Sequence, residues 1–577
     1  MIRGALKKAS GLSEIHLEVP DSMEHGDYSS NVAMVLFSRL KKKESKSEFA
    51  KFHTPKQLAD ELVQRLSKDK VLNKTVSKIE VAGPGFINFW IKENELFKQL
   101  ENVVDQKENY GKSDAYKDKR VMVEFGQPNT HKLPHIGHLF SYIYGESIAR
   151  IIKTQGATLF RANYQGDIGL HVAKCLWAYK EKHPDVPNDL VGKVDLLQDL
   201  YQEGSKAYDE DEKAKSKVDK LNKDIYEKDD SVAKLWGETR KWSIDYYKRF
   251  EKDLGVTFDR YYYESEVQKK GKKLVEANLE KVFEKSQGAI VFKGSRFGLH
   301  DRVFITKKGI PTYEAKDMYL QTLKMKEWPY DLLIITTASE QNDYFKVIFK
   351  ALEEIDSKFK GKLKHIGFGM VNLKKGKLSS RKGDIVGAVE LVEMAVKEIE
   401  KIVKVRKDLS EKEKREIAQK VGMAAVKYSF LKNNPLQDVN FDFEESISME
   451  GNSGPYLQYT YARIQSLLEK ANTKATAEGR LKANKKFNKE ELDLVRSFIH
   501  YPEVVREAAE KYSPNLICNY LFELAQRFNN FYNKHDILEE RTKDKSQSQL
   551  RLVITTATGK VIKNGLDLLG IQVLNRM

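Results

Sequence analysis

Cysteine is almost missing from this chain: Cys175 and Cys518 are the only two in 577 residues. So far apart, they supply neither a disulfide framework nor a C-x-x-C zinc site, so no zinc is expected and a reducing cytoplasm fits. Long apolar runs are missing too. None approaches the roughly 20 residues needed to span a bilayer, and the opening MIRGALKKAS has no apolar signal-peptide core. A soluble, cytoplasmic chain with no membrane partner is therefore expected. No internal repeat is evident, and the length is too great for one ordinary core, which suggests roughly two to four domains.

What the sequence does have is positive charge. Lys and Arg total 100 against 84 Asp and Glu, a net charge of +16. Such an excess favours a polyanionic partner such as RNA, although it equally suits a merely soluble basic protein and does not speak to fold.

Pattern divides the chain into three. Residues 1–113 mix helical stretches with a strand-like run from Ile79 to Ile91, in which Gly83-Pro84-Gly85 precedes the alternating Phe86-Ile87-Asn88-Phe89-Trp90; this is a small α+β module. From Arg120 an apolar strand, VMVEF, runs into a Pro/Gly-bearing turn and a helical run from His138 to Thr154, which is how a nucleotide-binding α/β unit begins. Further strands are expected at Thr158–Asn163, Ala289–Phe292 and Leu332–Thr336. Between about 180 and 252 the chain is charged and helix-favouring, as in DEDEKAKSKVDKLNKD, and reads as a solvated helical insertion within a 114–387 domain. Residues 388–577 are helical almost throughout, with a polar loop at about 471–490.

Two segments carry chemistry. VEFGQPNTHKLPHIGHL, from Val123 to Leu139, takes a strand through a turn into a helix opened by His135-Ile136-Gly137-His138. Histidines three apart share a helix face. At a helix N-terminus they can donate to triphosphate oxygens, while Gly137 removes the Cβ that would obstruct a flat adenine. Far downstream, Lys374-Lys375-Gly376-Lys377-Leu378-Ser379-Ser380-Arg381-Lys382-Gly383 is a basic, Gly-punctuated loop able to close over an anion such as departing pyrophosphate. Taken singly, each is equally a surface histidine pair or a solvated charged loop.

In this order and separation the two segments resemble the HIGH and basic-loop signatures of class I aminoacyl-tRNA synthetases. The flanking blocks VEFGQPN, YQGDIGLH, YYYESE, YEAKDMYL, ASEQNDYF, EGNSGPYLQYTYARI and KNGLDLLGIQVLNRM are similar to those of the arginyl-tRNA synthetase family, and the resemblance spans essentially the whole chain. It implies a Rossmann-type parallel-sheet catalytic domain, an N-terminal α+β tRNA-binding module and an all-helical C-terminal anticodon-binding domain. Two other readings share parts of the pattern: a class I synthetase for another amino acid, and a catalytically idle tRNA-binding relative.

The resemblance also implies roles. Arginine, ATP with Mg²⁺ and tRNA(Arg) would be the ligands, arginine activation would need bound tRNA, and the chain would be a monomer without an editing domain. Glu124, Asn129, Tyr313, Asp317 and Gln341 would contact arginine. A guanidinium, which cannot be deprotonated, also calls for acidic acceptors, and Glu264 joins Asp317 as a candidate. His135, Gly137, His138, Lys377, Leu378, Ser379 and Ser380 would meet ATP. Arg381 and Lys382 join the catalytic set, and Lys132 would replace the second loop lysine of the class, where this chain has Ser380. Phe86 and Asn88 of the first module would read a nucleotide by stacking and an amide hydrogen bond, and Tyr456, Tyr459, Tyr520 and Met577 would face the anticodon.

Overall fold

A computed structural model describes residues 1–20, 23–42, 48–374, 387–471, 486–538 and 544–577. Its centre is a five-stranded, wholly parallel sheet. The strands are β4 (Arg120–Glu124), β5 (Thr158–Gln165), β6 (Arg260–Tyr263), β10 (Leu332–Ala338) and β11 (Leu363–Phe368), in the spatial order β11-β10-β4-β5-β6. The chain leaves β4 toward β5 on one side, whereas β10 lies on the other. Strand order therefore reverses beside β4, and a crevice opens at the carboxyl ends of the strands there.

The helix after β4, Ile136–Thr154, is buried along nearly all of its length from Leu139 to Ile152. A helix apolar on every side needs partners on every side. Phe140 packs on both Phe368 and Phe430, the Tyr144 hydroxyl donates to the Tyr512 carbonyl at 2.7 Å, and Ser147 Oγ donates to the Leu568 carbonyl at 3.0 Å. Against the sheet, Gly145 brings the helix so close that a Cβ there would lie 2.2 Å from Phe125 Cβ. Gly145→Ala should therefore cost about 1–3 kcal/mol through overpacking, read as a lower urea midpoint. An unchanged midpoint would mean that Phe125 yields freely.

Between β5 and β6 the charged stretch forms helices Leu190–Glu210, Glu212–Glu227 and Asp230–Leu254, as the charge pattern suggests. One expectation needs correcting. Ala289–Phe292 is a strand, β8, but it belongs to a separate antiparallel sheet with β7 (Glu284–Ser286) and β9 (Arg302–Ile305) rather than to the α/β unit. The reason is local: Gln287 and Gly288 both take positive φ, and a two-residue turn of this kind can join only antiparallel strands.

The N-terminal module is a sheet of β1 (Tyr28–Ser30), β2 (Val76–Ala82) and β3 (Phe86–Ile91) in the order β1-β3-β2, backed by helices. Its HGDYSSNVA block forms the joint with the C-terminal helices. Asp27 accepts the Ile91 N–H at 2.6 Å and pairs with Arg496 at 2.7 Å, while Tyr28 meets the edge of His500. From Ala388 on, six long helices dominate among the described residues, ending with Lys545–Leu568, and the short β13 (Val439–Phe441) pairs in parallel with β12 (Val371–Leu373).

Candidate active site

The turn from β4 to the Ile136–Thr154 helix is unusual in its backbone: Gly126, Gln127 and His131 all have positive φ. Gly126 is required on steric grounds, because a Cβ would approach the Tyr142 ring to 2.7 Å. The helix then opens on a reciprocal cap. His135 Nδ1 accepts the Gly137 N–H at 3.1 Å, and His138 Nδ1 accepts the His135 N–H at 3.2 Å. With both Nδ1 atoms accepting, each neutral ring carries its proton on Nε2. Burial, followed by the charge of Lys132, lowers the pKa of His135; burial, His135 and Lys132 lower that of His138 well below the usual range. The pair is thus a set of two neutral Nε2–H donors at a helix N-terminus, suited to anionic oxygens.

Facing them are carboxylates. Glu124, at the end of β4, is buried, accepts from Gln127 Nε2 at 2.8 Å and pairs with the buried Lys324. Glu264 pairs with Lys316 at 3.4 Å, and Asp317 accepts the Tyr344 hydroxyl at 2.6 Å. Burial is the main reason that Glu264 is pushed up to about 7 and Asp317 to about 6. Even with Lys316 beside them, acids held in this way favour a further cation. Tyr313, 59% exposed, stands over the Lys316 ammonium at 4.2 Å and forms a rim.

One cavity of about 630 Å³ joins these groups. Its wall includes His135, Gly137 and His138 together with Glu124, Asn129, Glu264, Tyr313, Asp317 and Gln341. All six residues expected to contact arginine therefore meet the HIGH segment, although they run from residue 124 to 341. Tyr164, Gln127 and Tyr344 also line the cavity and were not singled out by sequence, even though each lies inside a quoted block. Lys132 is not on the wall; its ammonium sits 4.1 Å over the Tyr201 ring, on the insertion. Lys377, Leu378, Ser379, Ser380, Arg381 and Lys382 lie outside the described residues.

Among the C-terminal helices, Tyr456, Tyr459 and Met577 line a second cavity, of about 480 Å³, with Arg406, Arg463 and Asn529. Asn529 Nδ2 donates to the Tyr456 hydroxyl at 2.8 Å, Arg463 donates to Asn529 Oδ1 at 2.8 Å, and Arg406 donates to the Met577 carbonyl. Tyr520 does not join them, which corrects its assignment to the anticodon face: it is 9% exposed, packs on Tyr501 and donates its hydroxyl to the Ser497 carbonyl at 3.0 Å. Asn88 needs a similar correction. As part of the central strand of its sheet it is only 3% exposed, and its Oδ1 accepts the Ser29 hydroxyl at 2.8 Å, so in this structure it offers little to a nucleotide. Phe86, at the strand end, is half-buried.

A parallel sheet with a reversal beside its first strand, and a helix there opened by paired neutral histidines over an acid-lined cavity, defines a class I aminoacyl-tRNA synthetase. Three family models match: "Arginyl tRNA synthetase N terminal domain" over residues 1–91, "tRNA synthetases class I (R), catalytic domain" over 99–443, and "DALR anticodon binding domain" over 457–577. The chain belongs to the arginyl-tRNA synthetase family, the arginine–tRNA ligases. It is 32% identical to the arginine–tRNA ligase of Treponema denticola, covering 98% of this chain and 95% of that one, and 29% identical to that of Clostridium acetobutylicum, covering 97% and 96%. Its fold matches the solved arginyl-tRNA synthetase of Thermus thermophilus over 100% of both chains, with a TM-score of 0.83 at 23% identity. The Plasmodium falciparum enzyme matches with a TM-score of 0.80 at 19% identity, covering 100% of this chain and 98% of that one. These relatives set aside a synthetase for another amino acid.

Proposed function

We propose that the 630 Å³ cavity activates arginine with ATP and then passes the arginyl group to the 3′ end of tRNA(Arg), and that Asp317 and Glu264 read the guanidinium. The observation that carries this is the placing of two acids with raised pKa values, Asp317 and Glu264, in one cavity with two neutral imidazole donors. Glu124, Asn129 and Gln341 position the amino-acid end, and Tyr313 closes over it. The arginine carboxylate attacks the α-phosphorus of ATP, forming arginyl-adenylate and releasing pyrophosphate; a terminal ribose hydroxyl of tRNA then takes the arginyl group and releases AMP. Neither step needs a covalent enzyme intermediate, so positioning and charge stabilisation supply the acceleration. His135 and His138 donate to ATP phosphates beside Gly137, and the segment holding Lys377, Ser379, Arg381 and Lys382 acts on pyrophosphate. ATP enters as its magnesium complex, and no zinc is assigned, on the cysteine spacing. Tyr456, Tyr459 and Met577 face the anticodon.

For organisation we propose a tRNA-binding module over 1–113, the catalytic domain over 114–387 and the anticodon-binding domain over 388–577, acting as a cytoplasmic monomer. The end of the five-stranded sheet's last strand at Phe368 and the long helices from Ala388 support that division. Among the described residues no helix is long and apolar enough to cross a membrane. ATP–pyrophosphate exchange with tRNA present, run with each amino acid in turn, tests the reading. Exchange with arginine alone is expected, and exchange with none would leave an idle tRNA-binding relative.

The raised acids also predict a pH dependence. Both folded pKa values, about 6 and about 7, exceed the ordinary 3.8 and 4.5, so the folded state holds its protons more tightly and these groups cost stability as pH rises through that window. Arginine binding runs the opposite way, because a permanent cation favours the ionised acids. Arginine KM should rise as pH falls below 7, by up to about tenfold per pH unit for each acid. Steady-state aminoacylation between pH 5.5 and 8 measures it, and a flat arginine KM would remove both acids from the guanidinium site.

A further inference from the structure

Thr239, Ser243, Tyr247 and Glu251 stand at intervals of four on the Asp230–Leu254 helix, the spacing of a single ridge. All four are buried, none more than 2% exposed. Each meets the turn that follows β4 or its direct support. Thr239 Oγ1 lies 2.8 Å from His131 Nε2, and Ser243 Oγ accepts the His131 N–H at 2.9 Å. The Tyr247 hydroxyl lies 2.6 Å from both the Asn129 and the Lys132 carbonyls. Glu251 accepts from Tyr142 at 2.8 Å and from Asn163 Nδ2 at 3.0 Å, and Asn163 Oδ1 accepts the Gln127 N–H at 3.2 Å.

The turn needs such help. Gln127 and His131 hold φ of 54° and 64°, a region that costs a non-glycine residue free energy and persists only where surroundings over-determine it. The ridge engages backbone groups of Asn129, His131 and Lys132 directly and of Gln127 through Asn163, residues that line the cavity or flank HIGH. We propose that this ridge is a template contributed by the insertion, and that Thr239, Ser243, Tyr247 and Glu251 are positioning residues for arginine, acting through the turn. The insertion is then part of the amino-acid site without touching the amino acid. This rests on the reading that Asn129 contacts arginine.

The test uses the full chain carrying Tyr247→Phe, with Asn129→Ala and Tyr246→Phe alongside. Tyr246 is also buried but lies off the ridge. Loss of one buried backbone contact should raise arginine KM about tenfold while leaving tRNA KM unchanged, and Tyr246→Phe should match wild type. Thr239→Val should give the same split, and it carries the test if Tyr247→Phe does not fold. Wild-type arginine KM in both ridge variants, with Asn129→Ala impaired, overturns the template and leaves the site reading intact. Equal rises in arginine and tRNA KM with a lowered melting temperature overturn it as well, since they mark a purely structural role. A normal Asn129→Ala overturns the reading on which the proposal stands.

Discussion

Replacing Asp317 with asparagine should lower kcat/KM for arginine by about 30- to 1,000-fold, the 2–4 kcal/mol lost when one partner of a buried charged pair is neutralised. The carboxylate is half-buried and accepts the Tyr344 hydroxyl, and its pKa stays raised although Lys316 lies near, so a guanidinium arriving in the cavity would find an acceptor not yet neutralised. Asparagine keeps one acceptor oxygen but turns an amide donor toward the other donors. ATP KM should change little, because the proposed phosphate donors are the histidines and not Asp317. Glu264→Gln should cost less, since Lys316 at 3.4 Å already offsets part of that charge. Steady-state kinetics with each substrate varied separates the two. Wild-type arginine kinetics in the Asp317 variant would reduce it to an anchor for Tyr344.

Removing the Lys132 side chain should lower kcat for adenylate formation on the order of 10²-fold, the effect of deleting one preorganised charge donor, with arginine KM nearly constant. The ammonium rests on the Tyr201 ring, yet its charge still bears on both HIGH histidines. The case for it is chemical: where the class basic loop carries a second lysine, this chain has Ser380. Lys132→Ala combined with Ser380→Lys should regain part of the lost rate. Near-normal activity in the single variant would confine Lys132 to its ring contact, and a slow variant without rescue would separate it from position 380.

Much of this was legible in the sequence. Glu124, Asn129, Glu264, Tyr313, Asp317 and Gln341 reach one cavity because each sits at or just beyond the end of a central strand or at a helix start, where short patterned blocks survive intact. What periodicity cannot show is what covers a face. Asn88 alternates correctly, but β1 lies beside it and takes its amide oxygen. Tyr520 has the spacing of a helical face, but that face is core. Ala289–Phe292 has the composition of an α/β strand, and only the tight turn at Gln287-Gly288 decides that it pairs elsewhere. The ridge from Thr239 to Glu251 was hidden differently: lysines, arginines and acids around it gave the insertion the look of a solvated helix, and four polar residues turned inward are indistinguishable by composition from four turned outward.

The Ile136–Thr154 helix also has a consequence for how the chain is made. Its Tyr144 hydroxyl is satisfied by a carbonyl 368 residues further along, at Tyr512. At ribosomal speeds of roughly 5–20 residues per second, about 20–70 seconds separate the synthesis of the two partners. Phe140 and Tyr144 gain their ring partner Phe368 partway through and Phe140 gains Phe430 later, but until residue 512 is made the nascent catalytic half keeps part of this oily flank uncovered. A newborn chain of this design is an obvious client for chaperones, and slow translation after residue 387 should make it more prone to aggregate than slow translation before residue 120.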